Sequence, residues 1–184
     1  MPRRRRRRRF PSTAFLVFSA VAAAVLAFVV PSCSYPGGNY KGYMTRAYHE
    51  KGADWHPMSV DQALQYHETG IASWYDESSF WGFKRGQTSL GEKVMPWHLI
   101  AAHKTLPLPC MVEVTNVANG RSVKCRVNDR GPFVGNRIID LSPRAAKKLG
   151  FREGGLATVD VKVISVGDGP YKRSVKKKWF FGLF

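Results

Sequence analysis

Asp129 sits in the run Asn128-Asp129-Arg130-Gly131-Pro132-Phe133. A second acid, Glu92, follows Gly91, and an imidazole, His103, lies between the two acids in the chain. Carboxyl groups and an imidazole give and take protons near neutral pH, so this set suits general acid–base chemistry. Arg130 and Arg137 add cations able to hold an anionic or oxygen-rich ligand. Trp74, Tyr75, Phe80 and Trp81 supply aromatic faces of the kind that stack on pyranose rings, and the same residue types serve equally well in a core. Each acid–base residue also has a plainer role. Asn-Asp-Arg-Gly-Pro is a good turn sequence, Glu92 alone suits a solvated loop, and His103 alone suits a hydrogen-bonded packing position. The five histidines, at 49, 56, 67, 98 and 103, show no zinc-ligand spacing, so no metal is expected. Nothing points to another cofactor.

These side chains need elements to hold them. From Gly70 to about Val166 short β-type runs alternate with turns. Residues 71–75 read as a strand, and residues 158–164 alternate as a half-buried strand does. Residues 143–149 read as a helix, with Ser142 as N-cap and Gly150 just past its end. Residues 111–114 and 122–127 read as a hairpin around Asn119-Gly120. Pairing Val114 with Arg121 puts Val112 opposite Val123 and Cys110 opposite Cys125. One face is then apolar throughout, and Glu113, Ser122, Lys124 and Arg126 lie on the other. Directly opposed Cβ atoms stand about 4.5–5.5 Å apart, so a Cys110–Cys125 disulfide is expected in an oxidising compartment. Its loop of about 15 residues contributes about 3 kcal/mol by chain entropy. The alternative is a pair of buried free thiols.

The chain has 184 residues, 44 % of them hydrophobic and 23 % charged, enough for one globular domain with a tail or linker. No pair of long apolar helices is present, which excludes a polytopic membrane protein. Three cysteines are too few for a disulfide-built scaffold. The formal charge of +16 falls to +9 once the seven arginines of residues 3–9 are set aside. Residues 14–30 follow as an apolar run in which Ser19 is the only polar side chain. That order is a secretory signal, and Val30-Pro31-Ser32-Cys33 resembles a lipobox. A lipoprotein, an uncleaved anchor and a soluble secreted protein all place the rest outside the cytoplasm. The lipoprotein is the expectation: Cys33 carries lipid and anchors the protein to a membrane, and Ser34 after it points to the outer membrane, facing the periplasm. Nucleic acid is not expected in that compartment. Residues 1–32 are thus a signal, 33–67 a linker, 68–166 the folded domain and 167–184 a tail. Within the tail, residues 176–184 run from basic to aromatic, suited to an anionic envelope surface or to a docked terminus.

A distinctive ordered set of motifs runs through residues 68–166. It begins with Gly70-Ile71-Ala72-Ser73-Trp74-Tyr75, Gly91-Glu92 and Ala101-Ala102-His103-Lys104-Thr105-Leu106-Pro107. It continues with Val114-Thr115-Asn116, Asn119-Gly120-Arg121-Ser122-Val123, Asn128-Asp129-Arg130-Gly131-Pro132-Phe133 and Arg137-Ile138-Ile139-Asp140-Leu141-Ser142. Together these resemble the rare lipoprotein A (RlpA) family. The chain departs from the family pattern at Asp76, in extra residues over 80–87, and at Thr88-Ser89-Leu90-Gly91-Glu92, where the family has Thr-Ala-Asn-Gly-Glu.

The resemblance implies a mainly β fold, a six-stranded double-psi β-barrel with one or two short helices. It implies an endolytic peptidoglycan transglycosylase that cuts the β-1,4 bond between N-acetylmuramic acid and N-acetylglucosamine without water. The product is a 1,6-anhydro ring, and the substrate is peptide-poor glycan. By motif, Asp129 is the catalytic acid, Glu92 a second functional carboxylate and His103 the third site residue. Trp74, Tyr75, Arg130 and Arg137 are then the expected substrate contacts. An acid at 129 has to be held protonated, and like-charge repulsion from a nearby Glu92 favours that form. Two other readings use the same groove: an expansin-like barrel that binds glycan without cleaving it, and a hydrolase.

Overall fold

The computed structural model describes residues 40–75 and 86–175. Cys33, Ser34, Phe80, Trp81, the signal segment and residues 176–184 lie outside the described residues. The elements run β1 (Tyr48–Glu50), β2 (Ala53–Trp55), α1 (Val60–Leu64), β3 (His67–Trp74), β4 (Ile100–His103), β5 (Cys110–Asn116) and β6 (Ser122–Asp129). Then come β7 (Arg137–Leu141), α2 (Pro143–Leu149), β8 (Leu156–Val166) and β9 (Arg173–Ser174), with a 3₁₀ turn at Gly169–Tyr171 before the last.

Six of the strands close on themselves. The order is β3-β7-β4-β6-β5-β8, and β8 returns to pair with β3 along seven residues, so no edge of the six is left open. β3 with β7 and β4 with β6 are parallel, and the other pairings around the ring are antiparallel. This is the double-psi β-barrel that the motif order implies. β5 shows why it holds together: Cys110, Val112, Val114 and Asn116 are buried, while Met111, Glu113 and Thr115 between them are half-buried. Strand alternation puts one set inside. The core they enter includes Val127, Ile139, Leu141, Val159, Val161 and Val163, each at most 1 % exposed.

The expected helix is present at Pro143–Leu149. The Ser142 side chain accepts from the Ala145 N–H, and Gly150 closes it at φ 78°, a left-handed conformation that costs glycine little. The segment expected to be an extended linker carries structure of its own within residues 40–66. β1 and β2 form an antiparallel hairpin, and α1 has a capping box between Ser59 and Gln62.

The β5–β6 hairpin differs from expectation by two residues. Val114 pairs with Val123, Val112 with Cys125, and Cys110 with Val127. A slip of two leaves every side chain on its own face, so the apolar pattern fits both registers equally. The loop decides between them. The Asn116 N–H donates to the Arg121 carbonyl at 2.9 Å and the Gly120 N–H to the Asn116 carbonyl at 2.8 Å, so Arg121 faces Asn116, two residues further along β5 than Val114. Asn116 and Asn119 both donate Nδ2 to the Leu149 carbonyl, at 3.0 and 2.9 Å, tying that turn to the end of α2.

This register corrects the disulfide. Cys110 and Cys125 are diagonal neighbours, a relation that holds residues about 7–8 Å apart, and both are free thiols. Burial pushes each thiol up to about 12. Alkylation of the folded protein should therefore spare both cysteines. After unfolding without reductant, both should label completely, as read by peptide mass. A cross-linked Cys110–Cys125 peptide would contradict this register.

Candidate active site

Asp129 ends β6, where Gly131 at φ 129° carries the chain off the strand. Its carboxyl group is half-buried and lines an open cleft of about 700 Å³. One oxygen is held firmly. Oδ1 accepts from the Ser89 N–H at 2.9 Å, from the Ser89 hydroxyl at 2.6 Å and from the Arg130 N–H at 2.8 Å. No hydrogen bond from a described residue falls on Oδ2, so a proton carried by this group sits there, on the oxygen left free.

Glu92 lies in the same loop as Ser89. The Thr88 N–H donates to the Glu92 carbonyl at 3.0 Å, the Gly91 N–H to the Thr88 carbonyl at 2.7 Å, and the Glu92 N–H to Thr88 Oγ1 at 3.2 Å. The Glu92 carboxylate turns to β6. Arg126 Nη2 reaches Oε1 at 2.7 Å and Arg126 Nε reaches Oε2 at 3.2 Å, while Asn128 Nδ2 donates to Oε2 at 2.7 Å. A second carboxylate, Asp168, takes Nη1 and Nη2 of the same guanidinium at 2.6 and 2.7 Å. The Arg126 side chain is 4 % exposed, so this is an ion triad largely out of water. Glu92 is therefore next to Asp129 through Ser89 and Asn128. Its charge, however, is matched by Arg126, and it is not among the described residues lining the cleft. Glu92 and Asp129 are thus not two bare carboxylates repelling one another.

His103 belongs to the fold. Its Nδ1 accepts from the Thr105 and Leu106 N–H groups, both at 3.1 Å, which leaves the proton on Nε2, 2.9 Å from the Tyr66 hydroxyl. Tyr66 in turn donates to Glu68 at 2.7 Å. Burial, helped by the positive charges of Arg130 and Lys104, lowers His103 to about 3. It is a neutral ring that shapes the turn after β4, and it does not line the cleft among the described residues.

The other expected contacts divide. Arg130 lines the cleft, but its guanidinium is committed to backbone. Nη1 donates to the carbonyls of Leu106 at 2.6 Å and Lys104 at 3.3 Å, and Nη2 donates to that of Met44 at 3.1 Å. Arg137 is spent on the Val134 carbonyl at 3.0 Å and the Ser73 hydroxyl at 2.6 Å. Trp74 donates Nε1 to the Arg152 carbonyl at 3.0 Å beneath the Arg152 guanidinium. Tyr75 donates its N–H to the Leu141 carbonyl at 3.0 Å. Neither aromatic, nor Arg137, lines the cleft among the described residues. Sequence reasoning did not single out Ser89, Arg126, Asn128 or Asp168. Arg126 carried no signal, since alternation sets it on the polar face with Ser122 and Lys124, whereas its side chain is buried. Among the described residues no group of three or more His, Cys, Asp or Glu side chains is arranged to hold a metal ion.

Two measurements test this anatomy. Arg126→Met leaves two partly buried carboxylates unmatched and should cost about 3–5 kcal/mol in denaturant unfolding. Adding Glu92→Gln and Asp168→Asn should recover much of that loss, and no recovery would argue against the triad. For His103 the folded state disfavours protonation and the unfolded chain titrates near 6.5. Stability from this group is therefore full above that value and falls with pH down towards about 3. Wild type should lose about 2 kcal/mol more than His103→Gln between pH 7 and pH 5. Equal losses would mean that the ring is not held neutral.

A family model described as "Lytic transglycolase" matches residues 67–161, just over half of the chain. An endolytic peptidoglycan transglycosylase RlpA from Rickettsia felis is 45 % identical over 127 residues, covering 68 % of this chain and 54 % of its own. One from Neisseria meningitidis serogroup A is 49 % identical over 122 residues, covering 66 % and 48 %. The chain thus spans about half the length of these curated relatives. Among solved structures, an expansin from Clavibacter michiganensis aligns over 57 % of this chain and 54 % of its own at TM-score 0.43 and 19 % identity. The motif set, the closed six-stranded barrel and the family match agree: the chain belongs to the lytic transglycolase family of double-psi β-barrels, the RlpA family.

Proposed function

We propose that the protein is an endolytic lytic transglycosylase acting on peptidoglycan glycan strands, with Asp129 as its acid and base. The observation that carries this is the asymmetric grip on Asp129, with three donors on Oδ1 and none from a described residue on Oδ2, in a carboxyl group that lines an open cleft. The proton on Oδ2 passes to the glycosidic oxygen as the bond from muramoyl C1 to that oxygen breaks, and the N-acetylglucosamine end leaves with a free 4-hydroxyl. The muramoyl 6-hydroxyl closes on C1 and returns its proton to Oδ2. No water enters the balance, so one carboxyl group suffices and the wide carboxylate gap of an inverting hydrolase is not needed. Ser89 fixes which oxygen works. Glu92 acts through the loop it anchors, as a positioning residue. The anchoring of the protein to the envelope by lipid on Cys33, facing the periplasm from the outer membrane, belongs to the same proposal and is supported by the basic–apolar–cysteine order of residues 3–33.

Incubating the full chain with peptide-free glycan strands and weighing the new ends by mass spectrometry tests the reaction. 1,6-Anhydro ends are expected. Reducing ends would make the protein a hydrolase, and intact strands with retained binding would make it an expansin-like binder. Asp129→Asn keeps the acceptor for Ser89 but removes the transferable proton, and cleavage should fall at least a thousandfold with folding unchanged. Normal cleavage by this variant would overturn the role of Asp129.

A further inference from the structure

Among the described residues the cleft at Asp129 is lined by three stretches of chain, and one of them precedes the barrel domain. Met44, Arg46, Tyr48 and Glu50 face the same space as Ser89 and Asp129, although the family match begins only at residue 67. This early segment is fastened to the barrel by groups that flank the acid in sequence. Arg130, next to Asp129, donates to the Met44 carbonyl at 3.1 Å and lies 5.1 Å from the Tyr48 ring centre. Phe133 packs on Tyr48 and Trp55 at centroid distances of 6.3 and 5.7 Å. The Tyr48 hydroxyl donates to the Lys104 carbonyl at 2.8 Å, and Met44 and Leu108 exchange backbone hydrogen bonds at 2.7 and 3.3 Å. The motif that carries the acid therefore also holds this lining in place.

The two arginines of the cleft differ in what they have left to give. Arg130 spends Nη1 and Nη2 on carbonyls, and its Nε is buried away from the cleft space. Arg46 is exposed and makes no hydrogen bond, ion pair or ring contact with a described residue. Glu50, also exposed in the cleft, is an acceptor suited to sugar hydroxyls. His49 beside it is engaged with Asp54 across the hairpin at 2.7 Å. A guanidinium free in a cleft next to a proton-donating acid has one obvious complement on a glycan, a carboxylate borne by the sugar chain.

We propose that the Met44–Glu50 segment is part of the glycan site, and that Arg46 pairs with a carboxylate of the bound strand, the muramoyl side-group acid that is free when no peptide is attached. This rests on the peptidoglycan reading above. Binding of the full chain, measured in the Asp129→Asn background so that strands stay intact, separates the two ideas. The probes are peptide-free glycan strands and the same strands with their carboxylates converted to methylamides. The protein with Arg46 should bind the free acid about tenfold more tightly than the amide, the effect of one charged hydrogen bond. Arg46→Ala should bind both probes alike, with an unchanged thermal midpoint because the side chain is exposed. Lys51→Ala, which removes a hairpin cation outside the cleft, should keep the preference. The proposal is overturned if Arg46→Ala retains the preference, if Lys51→Ala also loses it, or if the protein with Arg46 shows none. Failure of wild type to form anhydro ends would instead strike the transglycosylase reading and leave the binding result standing.

Discussion

One guanidinium bears most of the arrangement around Asp129. Arg126 leaves β6 three residues before the acid and is clamped on two sides, by Glu92 from the loop after β3 and by Asp168 from the segment after β8. A buried cation with a single carboxylate would still have donors unsatisfied. Two carboxylates use its donors in pairs, and Asn128 takes up a remaining lone pair of Glu92. Such a cluster has little latitude, because moving any member strands a charge away from water. Latitude is what the loop carrying Ser89 must not have, since Ser89 sets the rotamer of Asp129.

The arginines of the site divide their work by position on the strand. Arg126 and Asn128 share a face of β6 and meet Glu92 there, whereas Arg130 lies past the strand end and gathers carbonyls from residues 44 to 106. Both fasten protein groups, and Arg126 also neutralises two carboxylates. Among the described residues the cleft presents Asp129, Arg46, Glu50 and Gln87, with the Tyr48 and Phe133 rings beside them. Under the function proposed above, in which the substrate's own hydroxyl attacks, a cleft backed by so rigid a scaffold has to position one proton.

How much of this the chain discloses on reading depends on the range of the physics. The α2 helix and its caps are local, so Ser142 and Gly150 declare them. The alternation of β5 and β8 is local too. Register is not. A two-residue slip preserves every face, and the hydrogen bonds from Asn116 and Asn119 to Leu149 that choose between registers come from a helix thirty residues downstream. The Cys110–Cys125 bridge failed for that reason alone. At the site, motif order pointed to Asp129 and Glu92, but residue type could not say which carboxylate faces the cleft. That follows from Arg126, whose partners lie at residues 92 and 168. His103 was similarly legible as a special residue and illegible as a buried neutral one, because its environment comes from Tyr66 and from the turn it caps.

The boundary of the functional unit follows from the same contacts. Pairing of β3 with β8 closes the barrel within the span that family resemblance covers, yet the site is not closed by it. Asp168 supplies half of the clamp on Arg126, and the Met44–Glu50 segment supplies part of the cleft lining, from opposite sides of that span in sequence. They are also linked in space: the Tyr43 hydroxyl donates to the Tyr171 carbonyl, and the two rings meet edge to face at 6.4 Å. A barrel trimmed to residues 67–161 would keep Asp129 and lose both supports. Part of what steadies Arg126 and part of the cleft lining are thus drawn from chain outside that span, while Ser89, Glu92 and β6 inside it hold Asp129.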